Sequence, residues 1–474
     1  MRRICRSVGA AAIAAITLAA CQPSDQAASD ASELSTAFSV PVEYYTLDNG
    51  LKVVLSPDHT APLATVAVYY NVGFRLEPRD RTGFAHLFEH MMFQGSENLG
   101  KMEFIKLVQE NGGVLNGSTR YDFTNYFEIV PAHKLETMLW AEADRMRGLD
   151  ITQDNLVNQQ GVVSNEVKVN VLNQPYGGFP WLDMPQLANE NWYNAHNFYG
   201  DLADLEAATL EDVQDFFHTF YAPDNAALAV VGDFDPAEAK QWIEQYFGSI
   251  PRGPGVPEFD ITEPRQEEGK RSSKVDALAS RPALAIAYHT PERNSPEYWA
   301  FGLIDQILVQ GEDSWLFQRL VQQDGFTAGV GGSLNALGNM YNYSGPMLWT
   351  VSLFHDADVT ADEILAATDE VIDRISSEPV DEETLARART KLRSSLLSSM
   401  EGFFGFGRAD LLASFALFDD DPSRINRIEA EFELVTPELI QRTAQEYLRS
   451  TNRTILTVEP GAADAGAAAG AGSR

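Results

Sequence analysis

The 474-residue chain is predicted to be α+β, with two homologous α/β-sandwich domains, an internal duplication, joined by a linker. Three observations predict this. Segments with strand alternation stand beside segments with apolar residues at helical spacing through 40–250, and again through 282–458. Residues 301–311 line up with 85–95 at an offset of 216, so the second stretch repeats the first. Between them, 251–281 carries Pro251, Pro254, Pro257 and Pro264 and the charged run 265–271, the composition of a linker. A chain of this length also exceeds what one core holds and suits two or three domains.

In chain order, a strand from Val42 turns at Asp48-Asn49-Gly50 into its hairpin partner over 51–55. Val66, Val68 and Tyr70 alternate as a third strand. Glycines bracket 83–94, where Phe84, Leu87, Met91 and Met92 recur at helical spacing, so a helix is predicted there. A second helix is expected near 102–110. After Gly112-Gly113 comes an extended pair, 114–120 and 122–130. Helices over 134–147 and 152–172, an aromatic loop over 176–199, a helix over 209–220 and a buried strand over 226–231 complete the first half.

The helix at 83–94 carries His86-Leu87-Phe88-Glu89-His90. At i and i+4 the two imidazoles lie one turn apart on one face. Two neutral imidazoles so placed can hold one divalent metal, and Glu89 on the neighbouring flank can act as a base toward water, the pattern of a zinc hydrolase. Catalytic zinc takes three protein ligands, so a third must come from elsewhere. With no thiolate expected in the mature chain, histidine or carboxylate remains. Glu166 flanks the inward stripe Leu156, Val163 and Val167 of a later helix, where a carboxylate is costly without a partner. His59, His133, His196, His218, His289 and His355 lack partners at ligand spacing and read as packed, hydrogen-bonded histidines.

This motif, followed after a gap of 75 residues by Glu166 in Val-Val-Ser-Asn-Glu-Val, resembles the inverted-motif zinc peptidases, the group of pitrilysin, insulysin and the mitochondrial processing peptidase. Further shared stretches begin at Gly112-Gly113, Thr124-Asn125-Tyr126, Pro175-Tyr176-Gly177 and Tyr221-Ala222-Pro223. The resemblance implies one Zn2+ per chain held by His86, His90 and Glu166, with Glu89 as general base. It implies that Val114, Leu115, Asn116, Gly117 and Ser118 form an edge strand that pairs with peptide substrate. Gln159 stands where several relatives have a second glutamate, which limits it to a supporting role. The implied activity is that of a zinc metalloendopeptidase hydrolysing short or unfolded peptides in a closed chamber. A scaffold of the same fold without catalysis and a peptide-binding surface lipoprotein are the alternatives, and metal content separates both from the enzyme.

In the second half, Gly302, Asp305 and Gln306 occupy the places of His86, Glu89 and His90, and Ser395 falls opposite Glu166. The repeat therefore keeps the fold and loses the metal pattern. Relatives also supply an Arg and a Tyr, seven residues apart, from across the chamber. Anchored on Leu320 and Gly325, the matching stretch puts Val321 and Ala328 there; a rival register pairs Arg319 with Phe326. Neither register yields both groups, so a sister subunit carrying the Arg/Tyr pair is expected as partner in a heterodimer, with a homodimer as runner-up.

Residues 1–20 show a basic start, a short apolar run and small residues before Cys21, which resembles a bacterial lipoprotein signal. The expectation is a lipidated Cys21, a flexible tether over 21–39 and a place in the cell envelope, facing the periplasm or in the outer membrane, attached through the lipid anchor alone. Loss of Cys5 with the leader would exclude an intrachain disulfide. The tail, 459–474, is Ala/Gly-rich and expected to be disordered. Formal net charge is -33, or -36 once Arg2, Arg3 and Arg6 are removed, which excludes nucleic acid as partner. The acidic residues are spread along the chain, which reads as solubilising faces rather than a trap for basic peptides.

Overall fold

The computed structural model describes residues 39–402 and 406–461. The expected leader, Cys21, the tether up to residue 38 and the tail from 462 lie outside the described residues.

The first half builds a six-stranded sheet from β1 (Glu43–Thr46), β2 (Lys52–Pro57), β3 (Leu63–Tyr70), β4 (Val114–Thr119), β5 (Thr124–Pro131) and β6 (Ala226–Gly232), in the order β1-β2-β6-β3-β5-β4. The β1/β2 hairpin turns at Gly50, whose φ of 95° suits glycine. Asn49 in that turn donates to the carbonyls of Phe247 and Ile250 at 2.8 and 3.0 Å. The helices of this half include α1 (Phe84–Met91), α2 (Glu103–Glu110), α3 (Leu135–Arg147), α4 (Gln153–Val167), α5 (Asp183–Ala188), α6 (Leu210–Phe220) and α7 (Pro236–Phe247).

The second half builds a five-stranded sheet from β7 (Lys270–Asp276), β8 (Ala283–His289), β9 (Gly331–Leu334), β10 (Leu348–Phe354) and β11 (Arg453–Pro460), ordered β7-β11-β8-β10-β9. Its helices include α8 (Pro296–Leu308), α9 (Ala361–Ser377), α10 (Glu382–Glu401), α11 (Phe406–Asp419) and α12 (Pro437–Tyr447). From β2 onward the two sheets share one topology. The pairs β2/β6 and β7/β11 are parallel, and all the remaining pairs antiparallel. The repeat legible at offset 216 is therefore a repeat of the sheet as well.

Two findings differ from the sequence reading. Strand β7 arises inside 251–281, where only linker was expected. Its residues alternate between exposed and half-buried, and the charges of Lys270, Arg271 and Lys274 hide the pattern, as suits an edge strand. The other finding concerns how the halves pack. One face of the first sheet, with Val66, Val68 and Tyr70, packs on α1, α3 and α6. Its other face, with Ala67, Tyr69, Ala227 and Ala229, lies under α11 of the second half. Reciprocally, Phe179, Met184 and Ala188 of the first half cover Ala283, Ala285, Ala287 and Val458 of the second sheet. Each half thus lends a helix to the other's sheet, and the described residues from Val40 onward cluster as one unit. Small alanines on the covered faces let those helices approach.

Candidate metal centre

Helix α1 buries Phe84, Leu87, Phe88 and Met91 against the first sheet, which leaves the opposite flank for its polar residues. Its N-terminus follows Gly83 (φ 83°) and has no side-chain cap of its own. The fully buried Glu77 supplies one from outside, accepting from the amides of Gly83 at 2.8 Å and Ala85 at 2.7 Å. Burial pushes the Glu77 carboxyl up, against the pull of His196 and the two amides. His196 stacks on Trp192 at 4.3 Å and bonds its carbonyl, with Nε2 3.5 Å from Glu77, so it is a packed loop histidine that buttresses the cap.

Helix α4 starts at the Thr152 cap and crosses α1, bringing Glu166 over the histidines. Beyond Val167 the helix widens into a π-helical turn over Lys168–Leu172. Nε2 of His86 lies 3.7 Å from one Glu166 oxygen, and Nε2 of His90 lies 3.3 Å from the other. The three donor groups all fall within 4.8 Å of one another. Burial, with the nearby His90, pushes the His86 imidazole down to about 4, so at neutral pH its lone pair is free. Burial also disfavours charge on His90, yet the bond to Glu166, the charges of Glu89 and Glu166 and a bond to Gln159 raise it overall. The His90 bond holds Glu166 below the usual carboxylate range. Tyr199 reaches Glu166 at 3.4 Å and sets its ring against His86.

Glu89 sits beside this group, and its carboxyl is raised chiefly by burial, against a bond from Thr119 and the charges of His90 and Arg120. Two carboxylates thus face one neutral imidazole and one that can be charged. Two nitrogen donors and a carboxylate so close together fit a divalent cation such as zinc, which takes three protein ligands and a water.

Among the described residues, strand β4, the expected peptide strand, pairs with β5 alone and forms an edge of its sheet. Val114 and Asn116 are exposed, Leu115 and Ser118 half-buried, and Gly117 is buried. A Cβ on Gly117 would stand 3.2 Å from Glu89 Cγ, so the strand passes directly beside Glu89. Buried Gln159 faces His90 while its amide donates to Asn158 at 2.9 Å. In the second half Arg319 is engaged by Asp324 and, at 2.9 Å, by Glu370; Val321 is half-buried and Ala328 exposed. Sequence reading missed Glu77, Thr119 and Tyr199. For Thr119 a signal existed, since period two in β4 places it on the face of Gly117.

Comparison with known proteins places these features in context. A family model described as insulinase (peptidase family M16) matches residues 52–176, and one described as peptidase M16 inactive domain matches residues 207–392. The chain is 25% identical over 429 residues to zinc protease PqqE of Helicobacter pylori, covering 88% of this chain and 93% of that one. It is 23% identical over 429 residues to a probable mitochondrial-processing peptidase subunit beta of Arabidopsis thaliana, covering 88% and 78%. Among solved structures, a protease from Helicobacter pylori gives a TM-score of 0.82 at 24% identity, over 89% of this chain and 100% of that one. A peptidase M16 inactive domain from Pseudomonas fluorescens gives 0.78 at 17% identity, over 89% and 98%.

Proposed function

Because this chain belongs to the M16 peptidase family of pitrilysin, insulysin and the mitochondrial processing peptidase, we propose that it is a zinc-dependent endopeptidase acting on short or unfolded peptides. The observation that carries the reading is the convergence of His86, His90 and Glu166 within 4.8 Å, with Glu89 alongside. His86, His90 and Glu166 would hold the zinc. When bound, zinc supplies a Lewis acid that acidifies water and polarises a peptide carbonyl. Glu89 accepts the proton as water adds to the carbonyl, then delivers it to the leaving amine as the C–N bond breaks. The free edge of β4 holds the peptide extended by main-chain hydrogen bonds.

In this reading a sister subunit completes the site. Val321 and Ala328 cannot donate to a developing oxyanion, and Arg319 is already committed to Asp324 and Glu370. Lack of such a donor typically costs about 10²–10³ in rate. A homodimer as active as the mixture with a sister chain would defeat this part. Anchoring through Cys21 belongs to the same proposal, and an unlipidated chain in the soluble fraction would refute it. The central test is zinc content measured beside chelator-sensitive cleavage of a quenched peptide. One zinc per chain with cleavage abolished by chelator is expected. Zinc without cleavage, sister chain present, would point to a scaffold, and absence of zinc would overturn the ligand set.

A further inference from the structure

We propose that Thr119 is a positioning residue for Glu89, so that the strand offered to the peptide also aims the base. The inference rests on the peptidase reading above. Thr119 is 1% exposed, and its hydroxyl lies 2.8 Å from Glu89 Oε2 and 3.4 Å from the carbonyl of Ala85. A hydroxyl has one proton to give, and the shorter, charge-assisted contact takes it. Among the described residues, no other side chain donates a hydrogen bond to this carboxylate.

The strand makes this contact possible in two ways. Residues 117 and 119 share a face of β4. Gly117 has no side chain, which lets the strand lie against the Glu89 stem, with the Tyr126 ring on the other side of the same gap. Thr119 then reaches past it to the carboxylate end. Glutamate has three side-chain torsions to fix, and one oxygen held by a buried hydroxyl leaves the other oxygen to face the histidine pair. Thr119 is itself anchored, since its backbone pairs with Thr124 of β5. Among the described residues the opposite edge of β4 is unpaired, so a peptide added there would bond the backbone of the strand whose Gly117 and Thr119 flank Glu89. Docking of the peptide and orientation of the base are thereby referred to one rigid element.

The test uses the full chain, with its sister subunit if turnover requires one, and compares wild type, Thr119→Val and Thr119→Ser. Valine keeps the shape and removes the donor; serine keeps the donor. Thr119→Val is expected to lower kcat about 10- to 100-fold, the scale of a misplaced catalytic group, while KM, zinc content and Tm stay near wild type. Thr119→Ser should restore kcat to within about twofold, as expected if the hydroxyl is what matters. In a crystal structure of Thr119→Val the Glu89 carboxylate should leave its present position. Wild-type kcat in Thr119→Val, a loss that serine fails to rescue, or a loss confined to KM or zinc content would each overturn the proposal alone. A wild-type protein without turnover would overturn the peptidase reading, and this inference with it.

Discussion

The two halves set equivalent helix pairs, α1 with α4 and α8 with α10, on sheets of one topology, yet they treat the space above the first helix of each pair differently. In the first half that space holds His86, His90 and Glu166, with Glu89 beside them. In the second, a Cβ on Gly302 would meet Met340 at 2.9 Å and Phe432 at 3.1 Å, so neighbouring side chains fill the place of His86. Asp305, in the place of Glu89, is buried and accepts from the Trp349 indole at 2.7 Å. Arg387 and Lys391 stand on α10 beside Gln306, and Lys391 pairs with Asp313 at 2.9 Å. One carboxylate is half-buried beside metal-type donors, and its counterpart lies in the core. What separates the half with the candidate metal centre from the other is a handful of side chains, not the fold.

The sharpest way to break this comparison is to neutralise both carboxylates. Glu89→Gln should lower peptide turnover by about 10²–10⁴ while zinc stays bound, because a base is lost and no ligand. Asp305→Asn should leave turnover within about twofold, as expected for a group that touches no substrate. Equal losses in the two variants, measured by kcat and zinc content, would show that the second half takes part in the chemistry.

The shared core offers a second test. Met184 belongs to the first half by sequence and to the second sheet by packing. Met184→Ala should cost about 2–5 kcal/mol and move one calorimetric transition common to both halves. Two separate transitions, with only one displaced, would show that the halves are energetically independent.

The smallest effect expected is electrostatic. Burial pushes the Asp305 carboxyl up to about 6, against bonds from Trp349 and Gln310 and the charge of Lys391. The folded-state value lies above the ordinary aspartate value of about 3.8, so the stability this group contributes is full below about 3.8 and is lost as pH rises through about 6. Asparagine cannot ionise and still accepts from Trp349. Asp305→Asn should therefore be more stable than wild type at pH 7.5, by no more than about 3 kcal/mol, with the gap closing below pH 4. Denaturant midpoints of the two proteins at both pH values would show it; a gap independent of pH would remove the buried-charge account of Asp305.

Sequence by itself was enough for whatever depends on neighbours along the chain. The i, i+4 spacing of His86 and His90 defines one face of a helix wherever that helix lies, and Asn49-Gly50 defines a hairpin turn. The offset of 216 exposes the repeat because corresponding elements keep their apolar spacing after the metal residues are gone. Tertiary structure alone decided which faces meet. Glu166 is separated from His90 by 75 intervening residues, and a stripe pattern says that it flanks a core without saying which one. Glu77 and Tyr199 reach the site from connecting segments whose local patterns carry no mark of it, and the alternation of β4 puts Thr119 on the face of Gly117 without saying what that face meets. Strand β7 is hidden because an edge strand needs only one good partner and can carry charges that erase alternation. The exchanged covering helices are hidden for a related reason. Periodicity records that a face is apolar, but which sheet covers it is set by the packing of segments far apart in the chain.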